Sequence, residues 1–431
     1  MTSLDAALRN PNAFAALDNS RGQARLFDGA GRRTSAMHYF SQANIRLGHR
    51  MQMVYEYAVS GKKQTEFLAA DKVAGVIASD AKYCIIGNPV NDAGAAGFNP
   101  VYDQFNLVVK PVLETLIAAG VTPIVRTEPG QVSKAASTDF RKFYQRYNAQ
   151  VKNFQKSRPY GQVLVLDTAS AYLLPTTTTI ALRPPTDGTH TTIPVAVIEG
   201  RMFADLMRPL VPAVPVRKVF GGETRAVGLQ GFTNPGFLAV TGGQAPGAGV
   251  TYAAGATLPA GITSLACDAG LTVTVTTEAN ADGTNDLVFD MTATAAGNIR
   301  CAFDFAAGFD YAGAVIDLFA ECTVLAGSVN FRGPYLNCDY NHATGPAITE
   351  GWSDCFNDGS KVLVDAVNLP AGVDQGVMPG DLTEVLNFHI PMTVGAADPR
   401  NYFTPRFYHY FAGAGSAKVK WRHFAADLRQ T

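Results

Sequence analysis

Apolar residues follow two different rhythms along this 431-residue chain. In roughly the first half, short unbroken apolar runs alternate with stretches whose apolar residues recur every three or four positions. The runs at 13–17, 80–90 ("DAKYCIIGNPV"), 121–127 ("VTPIVRT") and 161–169 ("GQVLVLDTA") predict buried strands. The stretches at 106–120, 139–155 and 192–211 predict helices. In the 139–155 helix, Phe140, Phe143, Tyr144, Tyr147, Val151 and Phe154 form the single stripe that a core-facing helix requires. Continuous apolar strands separated by helices predict βαβ units, hence a parallel sheet covered on both faces.

The rhythm changes around "RPLVPAVPVRKVF" (208–220), where Pro209, Pro212 and Pro215 stiffen the chain. Beyond it, Gly, Thr, Ala and Pro dominate and short alternating runs replace helices. Such runs occur at 271–279 ("LTVTVTTEA"), 285–295, 299–307 and 416–428. Strands of period two between regular turn signals predict an all-β, jelly-roll-like sandwich. The expected organisation is therefore an α/β domain over 1–212 and a β-sandwich over 213–431, for carbohydrate binding or assembly.

Composition narrows the partners. Hydrophobic residues make up 47% and charged residues 16%, which describes a chain with well-buried cores. A formal net charge of −1 lacks the basic excess that nucleic acid or an anionic membrane rewards. The opening "MTSLDAALRNPNAF" has neither the basic region nor the apolar core of a signal peptide, and no apolar run reaches the roughly 18 residues of a membrane span. The six cysteines (84, 267, 301, 322, 338, 355) show no CxxC or zinc-like spacing. Without an export signal, mostly reduced thiols are expected, a disulfide or two being the alternative. No metal or cofactor is expected.

In a doubly wound sheet, ligands sit beyond the carboxyl ends of the strands. Four polar stretches fall there or just before the last helix: "LDNSR" (17–21), "AVSGKKQ" (58–64), "GNPVND" (87–92) and "PPTDGTH" (184–190). Taken alone, Ser20 reads as a turn residue after a strand. Asp187 and His190, alone, read as a helix-capping turn with an exposed histidine. They also have the spacing at which a carboxylate orients an imidazole, leaving the other ring nitrogen to act as a base for a serine hydroxyl.

Together and in this order, the four stretches resemble the SGNH hydrolases, the GDSL-type lipases and esterases. That family carries a Gly-Asp-Ser, a lone Gly, a Gly-x-Asn-Asp and an Asp-x-x-His, here matched by Ser20, Gly61, Asn91, and Asp187 with His190 over residues 13–212. The resemblance implies a flavodoxin-like parallel sheet and a carboxylic ester hydrolase. It implies that Ser20 attacks the ester carbonyl, that His190 takes its proton and returns it to the leaving alcohol, and that Asp187 orients His190. The backbone N–H groups of Ser20 and Gly61 and the Asn91 amide would hold the oxyanion, each such donor being worth roughly 3–4 kcal/mol.

The chain departs from the family pattern twice. Asp18-Asn19-Ser20 replaces Gly-Asp-Ser, and an anion beside a developing oxyanion opposes the chemistry unless Asp18 points away or pairs with Arg21 or Arg25. Gly87 stands four residues before Asn91, with Asn88-Pro89-Val90 between, a spacing that can still present Asn91. "DGTND" (282–286) matches Gly-x-Asn-Asp more literally, but Asp-Gly between alternating strands is a hairpin turn. "FDGAGRRTS" (27–35) lacks the ending of a phosphate loop and reads as a basic border to the site, with Arg21 a candidate substrate contact.

In the second half, aromatic residues cluster at 351–358 and 401–424. Most are expected in the core, with Phe407, His409 and Phe411 on one face of a strand and Tyr408 and Tyr410 on the other. Trp352, among loop-like residues, is the candidate platform for stacking a sugar. The combination also resembles virion proteins of tailed bacteriophages (tail, fibre or head spike), assembled in host cytoplasm. That resemblance implies bacterial surface glycan and other virion proteins as partners, a homo-oligomer, and an O-acetyl or similar ester as substrate. The alternative it leaves open is a non-catalytic structural or receptor-binding virion protein that keeps the hydrolase fold.

Overall fold

Residues 13–17 are apolar without a break because both faces of the strand they form are covered. In the computed structural model, β1 (Asn10–Asp18) is an inner strand of a five-stranded sheet. The structure describes residues 9–19, 26–27, 33–34, 39–94, 99, 101–130, 137–172, 193–221, 223, 231–305, 314–342, 347–350, 378, 380–393 and 400–430. These fall into two compact units whose main break lies between Ala213 and Val214; a small antiparallel pair, β2 (Leu26–Phe27) and β3 (Arg33–Thr34), groups with the second.

In the first unit, α1 (Tyr39–Arg46) precedes β4 (Gln52–Ala58), and α2 (Gln64–Phe67) and α3 (Ala70–Ala78) lead to β5 (Ala81–Ile86). Then come α4 (Val90–Gly94), α5 (Lys110–Ala118), β6 (Thr122–Arg126), α6 (Thr138–Lys156), β7 (Leu164–Leu166), α7 (Thr168–Tyr172) and α8 (Ile193–Met207). The five strands are parallel, in the order β4-β1-β5-β6-β7. Counted within the sheet this is 2-1-3-4-5, the order of flavodoxin-like doubly wound folds.

The period of two along each strand divides the core into two layers. Ala15, Leu17, Cys84, Ile86 and Val125 face Phe67, Val76, Leu113, Leu116, Tyr147 and Val151, on the side of α2, α3, α5 and α6. Phe14, Ala16, Tyr83, Ile85, Ile124 and Leu166 face Tyr39, Phe40, Ala43, Phe203 and Met207 of α1 and α8. Helices thus cover both faces, and the stripe expected on α6 is buried at Phe143, Tyr144, Tyr147, Val151 and Phe154.

Two local features were not visible in the pattern. β4 carries Gln52 and Glu56 and is half-buried at the sheet edge, so no apolar run marks its length. The helix expected over 106–120 opens as a π-turn, Phe105–Val109, before becoming α5. Pro111 accounts for this: it has no N–H for the i→i−4 ladder and its ring crowds the preceding turn.

The second unit is all-β among the described residues, as expected. Its strands are β8 (Val250–Tyr252), β9 (Ile262–Cys267), β10 (Leu271–Ala279), β11 (Asn285–Ala293), β12 (Gly297–Phe303), β13 (Ala314–Val324), β14 (Val329–His342), β15 (Ala347–Glu350), β16 (Glu384–Thr393) and β17 (Arg400–Gln430). The 31-residue β17 organises them. Its first part pairs with β12 and β14, its second with β11 and β13. Phe407 of the first part stacks on Trp421 of the second with centroids 3.8 Å apart, so the two parts lie in layers that face each other. Phe407, His409 and Phe411 are buried and Tyr408 and Tyr410 half-buried, the alternation read from the sequence. "DGTND" closes the β10–β11 hairpin, where the Asn280 N–H donates to Thr284 O at 2.8 Å. Cys84, Cys267, Cys301 and Cys322 are free thiols.

Candidate active site

Parallel strands put all their carboxyl ends at one edge of the sheet, and the strand order reverses between β1 and β5. That switch point is where doubly wound sheets open a crevice for a ligand. Here the backbone leaving β1 is tied to both neighbours. The Val59 N–H donates to Asp18 O at 3.2 Å, and the Gly87 N–H donates to Leu17 O at 2.9 Å. Asn19, fully buried, donates its Nδ2 to Asn88 O at 2.8 Å. Ser20 is the next residue of the chain.

Two of the expected oxyanion groups converge on this edge. Gly61 sits in the turn after β4 with φ of +78°, a conformation natural to glycine, and a Cβ there would meet no atom within 4 Å. Asn91 lies in the first turn of α4, and its Nδ2 donates to Lys62 O at 2.9 Å, which fastens α4 to the Gly61 turn. Nδ2 carries two hydrogens, so one remains for an oxyanion. Ser20, Arg21, Asp187, His190 and Trp352 lie outside the described residues.

Arg21 and Arg25 lie outside the described residues; among those described, Asp18 pairs with Arg126, at the end of β6. Its Nη1 lies 2.9 Å from Asp18 Oδ2, and both side chains are fully buried. The other Asp18 oxygen accepts the Asn19 N–H at 2.7 Å. Arg126 also reaches Glu199 of α8 at 3.4 Å and lies over the Tyr39 ring at 4.3 Å. Gly87 makes room for this group, since a Cβ there would stand 2.0 Å from Asp18 Oδ1. The only sequence signal for the trio was a charge ending the apolar run "TPIVR" and another inside the apolar helix "IPVAVIEGRMF".

A second polar group lies beside the Gly61 turn and α4. Asp92 accepts the Gln64 N–H at 3.0 Å and the Gln104 Nε2 at 3.0 Å, and burial pushes its pKa up to about 6. Gln64 Nε2 donates to Gly87 O at 2.9 Å and to the Tyr147 hydroxyl at 2.8 Å. Among the described residues there is no cluster of His, Cys, Asp and Glu able to hold a metal ion, and no helix is long and apolar enough to cross a membrane.

No protein-family model matches the chain, and no curated protein matches it in sequence. Among solved structures, the chain is similar to an acetylxylan esterase from Geobacillus stearothermophilus, with 16% identity and a TM-score of 0.35 over 47% of this chain and 94% of that one. A carbohydrate esterase family 3 protein from Talaromyces cellulolyticus shares 13% identity with a TM-score of 0.34, over 47% of this chain and 99% of the other. A GDSL-like lipase from Bacteroides thetaiotaomicron shares 15% identity with a TM-score of 0.33, over 48% of this chain and 94% of the other. The first half of the chain, by its strand order and its two covered faces, is a flavodoxin-like α/β sheet, and an all-β unit follows it.

Proposed function

We propose that the first unit is a serine ester hydrolase of the SGNH type. The observation that carries this reading is the convergence at the switch point: the β1 exit that leads into Ser20, the left-handed turn at Gly61, and Asn91 fastened to that turn. In this reading Ser20 Oγ attacks an ester carbonyl as His190 removes its proton, with Asp187 orienting the ring. The oxyanion is received by the N–H groups of Ser20 and Gly61 and by the second Asn91 hydrogen. An acyl-enzyme forms as the alcohol leaves with the proton from His190, and water reverses these steps to release the acid.

A non-catalytic scaffold would be favoured by an Asp18 carboxylate aimed at the oxyanion. Both Asp18 oxygens are engaged elsewhere, by the Asn19 N–H and by Arg126, which supports the catalytic reading. The substrate class we propose is an O-acetyl or similar ester on bacterial surface polysaccharide, in the setting of a phage particle. The support for this is the family resemblance and the β-rich style of the second half. A fluorophosphonate probe tests the nucleophile independently of substrate. Mass spectrometry should find one adduct, on Ser20, lost in His190→Ala; a folded protein that stays unlabelled would contradict the reading.

A further inference from the structure

Gly61 and Asn91 stand on different elements, so the width of the oxyanion site depends on what holds the β4–α2 turn against α4. We propose that Gln64, Gln104 and Tyr147, gathered around Asp92, are positioning residues that fix this separation, an assignment that rests on the esterase reading above.

Gln64 is held at three points. Its backbone N–H donates to Asp92, its Nε2 donates to Gly87 O and the Tyr147 hydroxyl, and its Oε1 accepts Gln104 Nε2 at 3.0 Å. Gln104 donates to Asp92 as well, closing a ring of hydrogen bonds among Gln64, Asp92 and Gln104. The ring joins the β4–α2 turn to the β5 exit, α4 and α6. Gln64 is 0%, Tyr147 1% and Gln104 4% exposed, so each lost partner leaves a buried polar group unsatisfied. A closed, water-shielded ring of this kind has one low-energy arrangement, which is what preorganised oxyanion donors need.

Asp92 is the acceptor on which the ring turns. The charged and titratable groups that face it are Lys63, from the same turn as Gln64, and the Tyr147 phenol of α6, with Glu128 and Asp18 beyond that phenol. As an anion Asp92 can accept both N–H groups, whereas protonation turns one oxygen into a donor. With its pKa at about 6, the ring is complete at neutral pH and loosens below it.

The test has two arms on the full chain. The first is an NMR titration of the Gln64 amide between pH 4.5 and 8. It should show an inflection near pH 6 that Asp92→Asn abolishes, and a flat response would overturn the assignment whatever the catalytic activity. The second is turnover of p-nitrophenyl acetate by Gln104→Met and Tyr147→Phe. In each, kcat should fall at least tenfold with KM within twofold, and the acid limb of the pH profile should lose its component near pH 6. Unchanged kcat in both folded variants would also overturn it. Turnover that survives Ser20→Ala would instead overturn the esterase reading, leaving the amide titration to decide whether the ring holds the turn.

Discussion

For individual residues, Asp18 decides how this site departs from the SGNH pattern it resembles. A carboxylate in the place of the first glycine is tolerable only if its charge is balanced locally, and Arg126 balances it in full burial. Such a pair does not by itself add stability, but removing one partner strands a buried charge at a cost of about 3–5 kcal/mol. Arg126→Met should therefore lower the unfolding free energy from urea titration by that measure, and Asp18→Asn in the same chain should restore part of the loss. Gly87→Ala brings a methyl to 2.0 Å from Asp18 Oδ1 and should cost about 1–3 kcal/mol, together with much of the proposed esterase activity. A calorimetric scan beside an activity assay checks both effects.

At the scale of elements, the strands buried on both faces and the amphipathic α6 were legible because each carries one periodicity throughout. β4 was not, since an edge strand buries little and spells no apolar run. The π-turn was hidden because only Pro111 announces it. Gly61 and Asn91 were singled out by the order of the stretches that resemble the SGNH pattern, and the structure places the two at one edge of the sheet. Arg126, Glu199 and Gln104 were not, because their partners are remote: Arg126 is 108 residues from Asp18 and 73 from Glu199. No local pattern encodes a pair of that span. If Asn91 donates to the oxyanion, Asn91→Ala should lower kcat by about 10²–10³ with little change in KM, read from steady-state kinetics.

For the whole molecule, the all-β unit has a pH signature separate from the site. His409 is fully buried and burial pushes its pKa down to about 3. Its Nε2 accepts the Trp421 indole N–H at 2.9 Å, a role open only to the neutral ring. The unfolded chain, with a histidine pKa of about 6.5, binds one more proton between those two values. The stability His409 contributes is thus complete above about pH 6.5 and is lost as pH falls toward 3. Urea unfolding followed by Trp421 fluorescence in a Trp352→Phe background should show that slope, and His409→Gln should remove it. The proposal that Ser20 opens an ester hydrolase site at the β1–β5 switch point is tested by p-nitrophenyl acetate hydrolysis by the purified chain beside folded Ser20→Ala and His190→Ala variants. Turnover is expected in the parent and abolished by both substitutions; equal rates in all three would rule the hydrolase site out.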